Sequence, residues 1–277
     1  MSPVQGVPAT ASRVMEALAI YRFLTPEQLS KELGVGAYSY LRQKVLPKLV
    51  KQKLIKSINH GPKAGPYSYY LTKKSAKSIA THQGVPLDTV NFPKGNSIDY
   101  GNELEHRTAI VSSHISFLKW AESEDLKIDY FHPDFENFKQ QGTGGHATSL
   151  AQVRCKHVSF LADAIFRFSH KGKHRLCFLE IHHTTTPRNI AKKLDLHVTA
   201  IYENVAEKQF QHPTLNFVLS VHWRKSTMET TMKYMMKISD FEEFIPLFHF
   251  NTIDQIKQDF SQGWKMANRE TSPLFLP

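Results

Sequence analysis

The excess positive charge of this chain is confined to its first third, and this uneven distribution divides the sequence into two modules. Residues 1–85 hold 13 Lys and Arg against three acidic residues, whereas residues 86–277 hold 22 of each sign. The acids of the first segment end at Glu32, and ten basic residues follow up to Lys77. A basic module joined to a neutral body is typical of proteins that bind nucleic acid through one module. A solvated lysine-rich surface is the alternative interpretation.

Length and composition set the outer limits of what the protein is. A chain of 277 residues has room for roughly two domains of ordinary size. No apolar run approaches the roughly 18 residues of a membrane span, so we expect no membrane partner. The first ten residues lack an apolar signal region, which predicts a cytoplasmic protein. With Cys155 and Cys177 as the only cysteines, the sequence offers neither a disulfide framework nor a zinc site.

The pattern of the first module predicts three helices, a β-hairpin and a fourth helix. Thr25 and Gln28 form a capping-box pattern around Pro26, which marks the start of the second helix. Pro47 falls inside the third helix, so we expect a bend or a break there. The predicted helices are 11–23, 25–33, 38–53 and 73–82, and the predicted strands are 54–58 and 67–71.

This order of elements over residues 11–82 resembles the winged helix-turn-helix family. In that family the third helix enters the major groove and the wing contacts the backbone, so the resemblance implies binding of double-stranded DNA. Some winged helices bind protein instead, and that alternative stays open. Carried over to this sequence, the residues near bases or phosphates are Tyr38, Tyr40, Arg42, Gln43, Lys44 and Lys48 on the helix and Lys63 on the wing.

The second module is predicted to be an α/β core. Prolines and glycines between residues 84 and 100 mark a linker, so we predict a DNA-binding domain at 1–85, a linker at 86–100 and a second domain at 101–277. A hairpin at 158–168 and 175–182, then a helix at 188–206 and a strand at 215–221, predict a right-handed parallel crossover. The remaining predictions are a long helix at 102–122 with one buried stripe, a strand at 127–131, a loop at 135–150, helices at 226–236 and 239–248, and a polar tail.

Glu180 stands out because it is a carboxylate between Leu179 and Ile181 in an apolar strand. Burying a carboxylate is costly unless it is paired or binds a cation. The predicted hairpin brings Asp163 beside it, and a divalent cation removes the repulsion between two adjacent carboxylates. Oxygen ligands without Cys favour Mg²⁺ or Mn²⁺, which makes Asp163 and Glu180 the predicted metal ligands. The alternative is a solvated Asp163 and a Glu180 paired with a nearby arginine.

A helix, an Asp at a hairpin strand, Glu-x-His, and a crossover helix and strand together resemble the restriction-endonuclease-like, or PD-(D/E)xK, superfamily over residues 102–222. The resemblance implies that Asp163 and Glu180 bind metal. The sequence departs from the family at two places, because His182 replaces the water-activating Lys and Ala162 replaces the Pro.

Two substitutes for the missing lysine are open. A neutral His182 can take or relay a proton. Alternatively, Lys192 or Lys193 on the following helix supplies the positive charge.

A winged helix ahead of such a core is similar to the replication-relaxation family of mobile-element proteins, which includes plasmid relaxases of the MOB-C class. The segments that carry the resemblance are Glu105-His106, Ala162-Asp163-Ala164, Leu179 to Thr184, and Lys192-Lys193-Leu194 ahead of Tyr202. It implies a sequence-specific DNA-binding protein, with other relaxosome or replication proteins as candidate partners. The candidate catalytic residues are then Asp163, Glu180, His182, Lys193 and His106, with Glu103 as a further candidate in or around the metal shell.

The leading hypothesis is a divalent-metal-dependent DNA nickase or relaxase that acts at a plasmid origin. The alternative is a non-catalytic replication, relaxosome or transcription factor with a degenerate nuclease-like core, which the two departures from the superfamily favour. An RNA-binding or toxin-like factor is a third candidate. A relaxase of the HUH type is disfavoured because His182 and His183 are adjacent and would point apart on a strand.

Overall fold

The protein is a mixed α/β molecule with one mixed sheet of six strands, as the sequence predicts. It divides into two compact units, Met1–Ile115 and Ser116–Pro277. The domain limits at residues 85 and 101 stay a prediction. The computed structural model describes residues 8–58, 68–93, 104–138, 148–183, 185–239, 241–268 and 270–271.

The first unit has the element order expected of a winged helix-turn-helix. The predicted hairpin is confirmed, and a bridge between Leu24 and Tyr69 adds a third short strand to it. The elements are helices α1 (Ala9–Tyr21) and α2 (Gln28–Glu32), helix α3 in three contiguous pieces (Tyr38–Tyr40, Leu41–Val45 and Leu46–Lys51), strands β1 (Ile55–Ile58) and β2 (Ser68–Leu71), and helix α4 (Lys73–Gln83).

Two local sequence signals in the first unit had different outcomes. The capping box is confirmed, because the Gln28 amide donates to Thr25 Oγ1 at 3.2 Å and the Thr25 amide donates to Gln28 Oε1 at 3.0 Å. Of the bend or break predicted at Pro47, the break is wrong, because α3 stays helical across this residue, and the bend stays a prediction. The piece before Pro47 is a π-helical turn that ends with the Leu46 amide bonded to the Leu41 carbonyl. Pro47 follows in the first turn of the last piece, where its missing N–H costs little.

A long helix, α5 (Leu104–Ser123), runs through the point at which the two units divide. Its first half belongs with the first unit, since Gln28 Nε2 donates to the Thr108 carbonyl at 3.0 Å and Ser112 Oγ donates to Glu32 Oε1 at 2.9 Å. The prediction of a single buried stripe is wrong, because residues 109–113 and 115–117 are all buried. Apolar neighbours therefore cover most of its circumference rather than one face.

The second unit is built on the sheet of order β12-β11-β10-β9-β8-β3. The predicted hairpin β8–β9 is antiparallel, and β9, β10 and β11 run parallel, so the predicted parallel crossover is confirmed. The sheet strands are β3 (Lys127–Pro133), β8 (Ala164–His170), β9 (Lys173–His182), β10 (Phe217–His222), β11 (Phe248–Thr252) and β12 (Lys265–Met266). Short strands β4 (Asn137–Phe138), β5 (Thr148–Ser149), β6 (Gln152–Arg154) and β7 (Ser159–Leu161) form two small ribbons.

Apolar side chains cover both faces of this sheet. On one face the second half of α5 contributes Phe117, which contacts Phe166 and Phe168 of β8. On the other face Ile165 and Phe178 join a buried cluster with side chains from the following helices. These helices are α6 (Pro187–Tyr202), α7 (Val205–Phe210) and α8 (Lys225–Met235).

Five predictions for the second unit need correction. The strand predicted at 158–168 is two strands, β7 and β8, with Ala162 and Asp163 between them, and only β8 pairs with β9. The helix predicted at 188–206 ends at Tyr202, because Asn204 adopts the left-handed conformation (φ 54°) and α7 begins after it. The loop predicted at 135–150 contains the paired strands β4 and β5. The helix predicted at 239–248 is a 3₁₀ helix, Phe241–Leu247, and the predicted polar tail includes β11, β12 and helix α9 (Ile253–Gln258).

Within the described ranges, none of the helices combines the length and the apolar character that a bilayer crossing requires.

Candidate functional site

The β8–β9 hairpin holds Asp163 and Glu180 at the same end of the sheet. Asp163 directly precedes β8, and its amide donates to the Leu179 carbonyl at 3.1 Å. Its Oδ2 accepts the Ile181 amide at 2.5 Å. Asp163 is thus fixed on both sides of Glu180, by its backbone at Leu179 and by its carboxylate at Ile181. Glu180 lies on β9 and is fully buried. Oriented backbone donors of this kind stabilise a buried carboxylate.

Lys193 joins the two carboxylates. It lies on α6, and its Nζ is 3.4 Å from Asp163 Oδ1 and forms an ion pair with Glu180 Oε2. Asp163 and Glu180 therefore face the same side of the sheet. Burial acts to lower the pKa of Lys193, but the charges of Glu180 and Asp163 outweigh it and raise that pKa above its ordinary value. The ammonium group is charged at neutral pH.

His197, one turn further along α6, contacts the other oxygen of Glu180. Its Nε2 lies 2.7 Å from Glu180 Oε1, and because a carboxylate only accepts, Nε2 donates. The imidazole is fully buried against the rings of Phe160 and Phe178. Residues four apart on a helix share a face, so Lys193 and His197 reach Glu180 together. The sequence analysis did not identify His197, although this spacing opposite a buried Glu was a usable signal.

Asp134 is a third carboxylate at this end of the sheet. Its amide donates to the Asp163 carbonyl at 2.9 Å, and a carboxylate oxygen of each residue lies within 4.8 Å of one of the other's. The sequence analysis did not identify Asp134 either. The available signal was its position directly after β3. This strand pairs with β8 up to Pro133 and Ala164, which places the neighbouring residues Asp134 and Asp163 side by side.

These residues fit a divalent cation by charge and by donor type. Asp134, Asp163 and Glu180 with Lys193 carry a formal charge of −2, which one divalent cation balances. Hard carboxylate oxygens are the ligands that Mg²⁺ and Mn²⁺ prefer. Asp134 and Asp163 are the pair that the structure places close enough for one ion to contact both.

The remaining predicted site residues are His182 on β9 and His106 and Glu103 at the start of the predicted long helix. His182 follows Glu180 on the same face of β9, is buried, and has its ring centroid 4.9 Å from that of His222 on β10. Burial lowers the pKa of His222 to about 3, so that ring is neutral. His106 is half-buried in the first turn of α5, in the first unit, and Glu103 lies outside the described residues.

The predicted DNA-contacting residues of α3 that the structure describes are all exposed. Leu41, Val45 and Leu49 of the same helix are buried, which anchors it in the first unit. Tyr40 is 51% exposed. The exposed set is Tyr38, Tyr40, Arg42, Gln43, Lys44 and Lys48, whereas Lys63 of the predicted wing lies outside the described residues.

Compared with protein-family models, curated proteins and solved structures, the chain gives no match.

Proposed function

We propose that this protein binds double-stranded DNA through its first unit and cleaves one strand with a divalent cation at Asp163 and Glu180, as a nickase or relaxase of a mobile element. The observation that carries the proposal is the ammonium group of Lys193 between these two carboxylates. Two carboxylates, one lysine and oxygen ligands for a cation are the groups that phosphodiester hydrolysis requires.

Each residue has a role in this proposal. Asp163 and Glu180, with Asp134 beside them, hold the cation, which when bound polarises the scissile phosphate. Lys193 stabilises the negative charge that develops on the phosphate oxygens. His197 keeps Glu180 oriented through the bond to Oε1. His182, two residues after Glu180 on β9, is the candidate proton relay.

Lys193 supports the resemblance to the PD-(D/E)xK superfamily at the place where the sequence departs from it. The family's lysine lies two positions after the Glu, where this chain has His182. Lys193 brings an ammonium group to the same carboxylates from α6. In this proposal the catalytic lysine has moved from the strand to the helix.

The exposed residues of α3 support DNA as the substrate. They include two tyrosines together with Arg42, Lys44 and Lys48, and residues 1–85, which contain this helix, hold the whole excess of positive charge. Exposed cationic and aromatic side chains on a helix are suited to phosphates and base edges in a major groove.

One observation favours the non-catalytic alternative. Glu180 is fully buried, and its two oxygens already contact His197 and Lys193. A cation that binds Glu180 must displace Lys193, whereas a structural ion pair needs no such change. A replication or relaxosome factor with an inactive core would keep this arrangement.

A nicking assay on supercoiled plasmid distinguishes the nickase or relaxase from the non-catalytic factor. The substrate carries the DNA that surrounds the gene for this protein, and Mg²⁺ or Mn²⁺ is supplied. We expect the wild-type protein to convert supercoiled DNA to open circles, and Asp163→Asn and Glu180→Gln to bind the same DNA without converting it. Tight binding by all three proteins with no open circles would establish the non-catalytic factor.

A further inference from the structure

A pair of aromatic side chains lies just beyond the carboxyl ends of β9 and β10. His183 and Trp223 directly follow the two strands, and their ring centroids are 4.5 Å apart. The Trp223 amide donates to the His182 carbonyl at 3.1 Å, which ties this residue to the end of β9. Glu180 lies three residues before His183, which is roughly 10 Å along a strand. The aromatic pair and the candidate cation site therefore share one end of the sheet.

Trp223 differs from the other two tryptophans of the chain in its exposure to solvent. Trp120 and Trp264 are buried and pack against other aromatic rings of the second unit. Trp223 is only half-buried. Burial of an indole ring is favourable, so part of this ring stays available to a partner. Every nucleic-acid base has a flat face that stacks on such a ring.

The helices that follow β9 and β10 bring positive charge to the same end of the sheet. Because these strands are parallel neighbours, α6 and α8 both begin at their carboxyl ends. Four exposed cations lie there, Arg188 and Lys192 on α6 and Arg224 and Lys225 at the start of α8. None of the four forms an ion pair with an acid in the part of the chain that the structure describes. We call these four residues, with His183 and Trp223, the strand-end surface.

Helix stability does not explain these charges. Cations in the first turn of a helix interact unfavourably with its dipole, and acids are the residues that stabilise this position. The first turns of α6 and α8 contain neither Asp nor Glu. The first acids further along the two helices are Asp195 and Glu229, and Asp254 follows β11, on the side of β10 away from β9. An anionic partner would offset both the dipole and the mutual repulsion of the cations.

We propose that the strand-end surface binds a single DNA strand beside the cleavage site, with a base stacked on Trp223 and phosphates on the four cations. This inference rests on the proposed function for the identity of the strand. Aromatic stacking combined with a row of cations is how proteins bind single strands without reading their sequence. Carboxylates repel phosphates, so a strand that approaches Asp163 and Glu180 needs cations at their border. In open α/β sheets, ligands bind outside the carboxyl ends of the strands.

Tryptophan fluorescence of the full chain tests the proposal, because Trp223 is the tryptophan that a quencher in solution reaches most easily. Quenching by acrylamide is measured with and without oligothymidylate, in the absence of divalent cations. We expect oligothymidylate to shield Trp223 in a saturable way, with an affinity that falls as salt rises. Trp223→Phe should show little quenching in either state, which assigns the signal to this residue. Equal quenching of the wild-type protein with and without the oligonucleotide would overturn the proposal.

Substitutions separate the stacking contact from the charge. In the anisotropy of a labelled oligothymidylate, Trp223→Leu should weaken binding by about tenfold, as for the loss of one base stack, and Trp223→Phe should keep most of the affinity. Equal affinity of Trp223→Leu and the wild-type protein would overturn the stacking contact.

Arg224→Gln tests the charge at an exposed position, so it should unfold at the wild-type temperature. It should weaken the shielding of Trp223 and reduce the slope of log affinity against log salt by about 0.7, as for one lost phosphate contact with a single strand. Lys233→Ala removes a charge from an exposed position further along α8 and should change neither quantity. Equal loss in both variants would overturn the proposal, since diffuse charge would then explain the binding.

A relaxed closed-circular plasmid provides the comparison with duplex DNA. Its bases are stacked on one another within the helix, so it should leave Trp223 open to acrylamide. Shielding by the plasmid equal to that by oligothymidylate, at equal nucleotide concentration, would overturn the assignment to a single strand.

The plasmid-nicking assay distinguishes failure of this inference from failure of the proposed function. If oligothymidylate shields Trp223 and the wild-type protein forms no open circles, strand binding stands and the proposed cleavage fails. If the wild-type protein nicks the plasmid and oligothymidylate does not shield Trp223, the proposed cleavage stands and this inference fails.

Discussion

His197 Nε2 lies 2.7 Å from Glu180 Oε1, and both side chains are fully buried. His197→Ala should lower the free energy of unfolding by about 3 kcal/mol, because removing one partner leaves a buried carboxylate with fewer donors. His197→Gln can still donate to Oε1 and should recover part of the loss. Denaturant unfolding measures both, with exposed His157→Ala as the control. An effect of His197→Ala no larger than that of the control would show that the contact does not hold Glu180.

Asp134 is expected to contribute to cation binding, because its carboxylate lies within 4.8 Å of that of Asp163. Mn²⁺ should raise the unfolding temperature of the wild-type protein, since a ligand that binds only the folded state stabilises it. Asp134→Asn should lose most of this increase. Asp195→Asn, an exposed Asp on α6, should keep it. Equal stabilisation of all three proteins would remove Asp134 from the cation site.

The exposed basic residues of α3 should set the salt dependence of DNA binding. Arg42→Ala and Lys44→Ala should each weaken binding, and each should reduce the slope of log affinity against log salt by about one if the residue contacts a phosphate. Fluorescence anisotropy over a series of salt concentrations measures both quantities. Lys233→Ala in the second unit should change neither. A slope that is unaffected by the α3 substitutions would place the DNA elsewhere.

Stability should fall in mild acid because three histidines are buried in neutral form. Burial lowers the pKa of His114 and His222 to about 3 and that of His249 to about 4. Between their ordinary pKa of 6.5 and these values, the unfolded chain binds protons that the folded chain does not, so the free energy of unfolding decreases as pH falls.

The contribution of one histidine can be isolated. His222→Gln should make the pH dependence of the unfolding free energy shallower by about 1.4 kcal/mol per pH unit between pH 6 and pH 4. Urea unfolding at a series of pH values measures the slope. A variant with the wild-type slope would show that His222 is not held neutral by the fold.

Local sequence patterns were enough to predict the hairpin that carries Asp163 and Glu180, because two adjacent strands and their turn determine the pairing. The crossover to β10 followed from the same reasoning. Asp134 was missed because it reaches the site from the end of β3, which is distant in sequence from the hairpin. His197 was missed although it lies one turn after Lys193 on the same helix. Lys192 and Lys193 were both predicted as sources of the positive charge. Adjacent residues point in different directions from a helix, so the orientation of α6 decides that Lys193 reaches the carboxylates and that Lys192 is exposed.

The misjudged strand β11 has a physical explanation. It was taken for the end of a helix and a polar tail because His249 and Asn251 interrupt its apolar residues. Both are buried and hydrogen-bonded, since His249 Nε2 donates to the Pro246 carbonyl and Asn251 Nδ2 donates to the Gln262 carbonyl. Tertiary hydrogen bonds of this kind let polar residues occupy a central strand, and periodicity does not reveal them.

The most direct test compares two neighbouring lysines of α6 in the plasmid-nicking reaction. Lys193 contacts both carboxylates, whereas Lys192 is exposed, so Lys193→Met and Lys192→Met differ mainly in the charge at the site. We expect Lys193→Met to slow nicking by about a hundredfold or more while DNA affinity is kept, as for the loss of one group that stabilises transition-state charge. Lys192→Met should nick at the wild-type rate. Wild-type nicking by Lys193→Met would contradict the account.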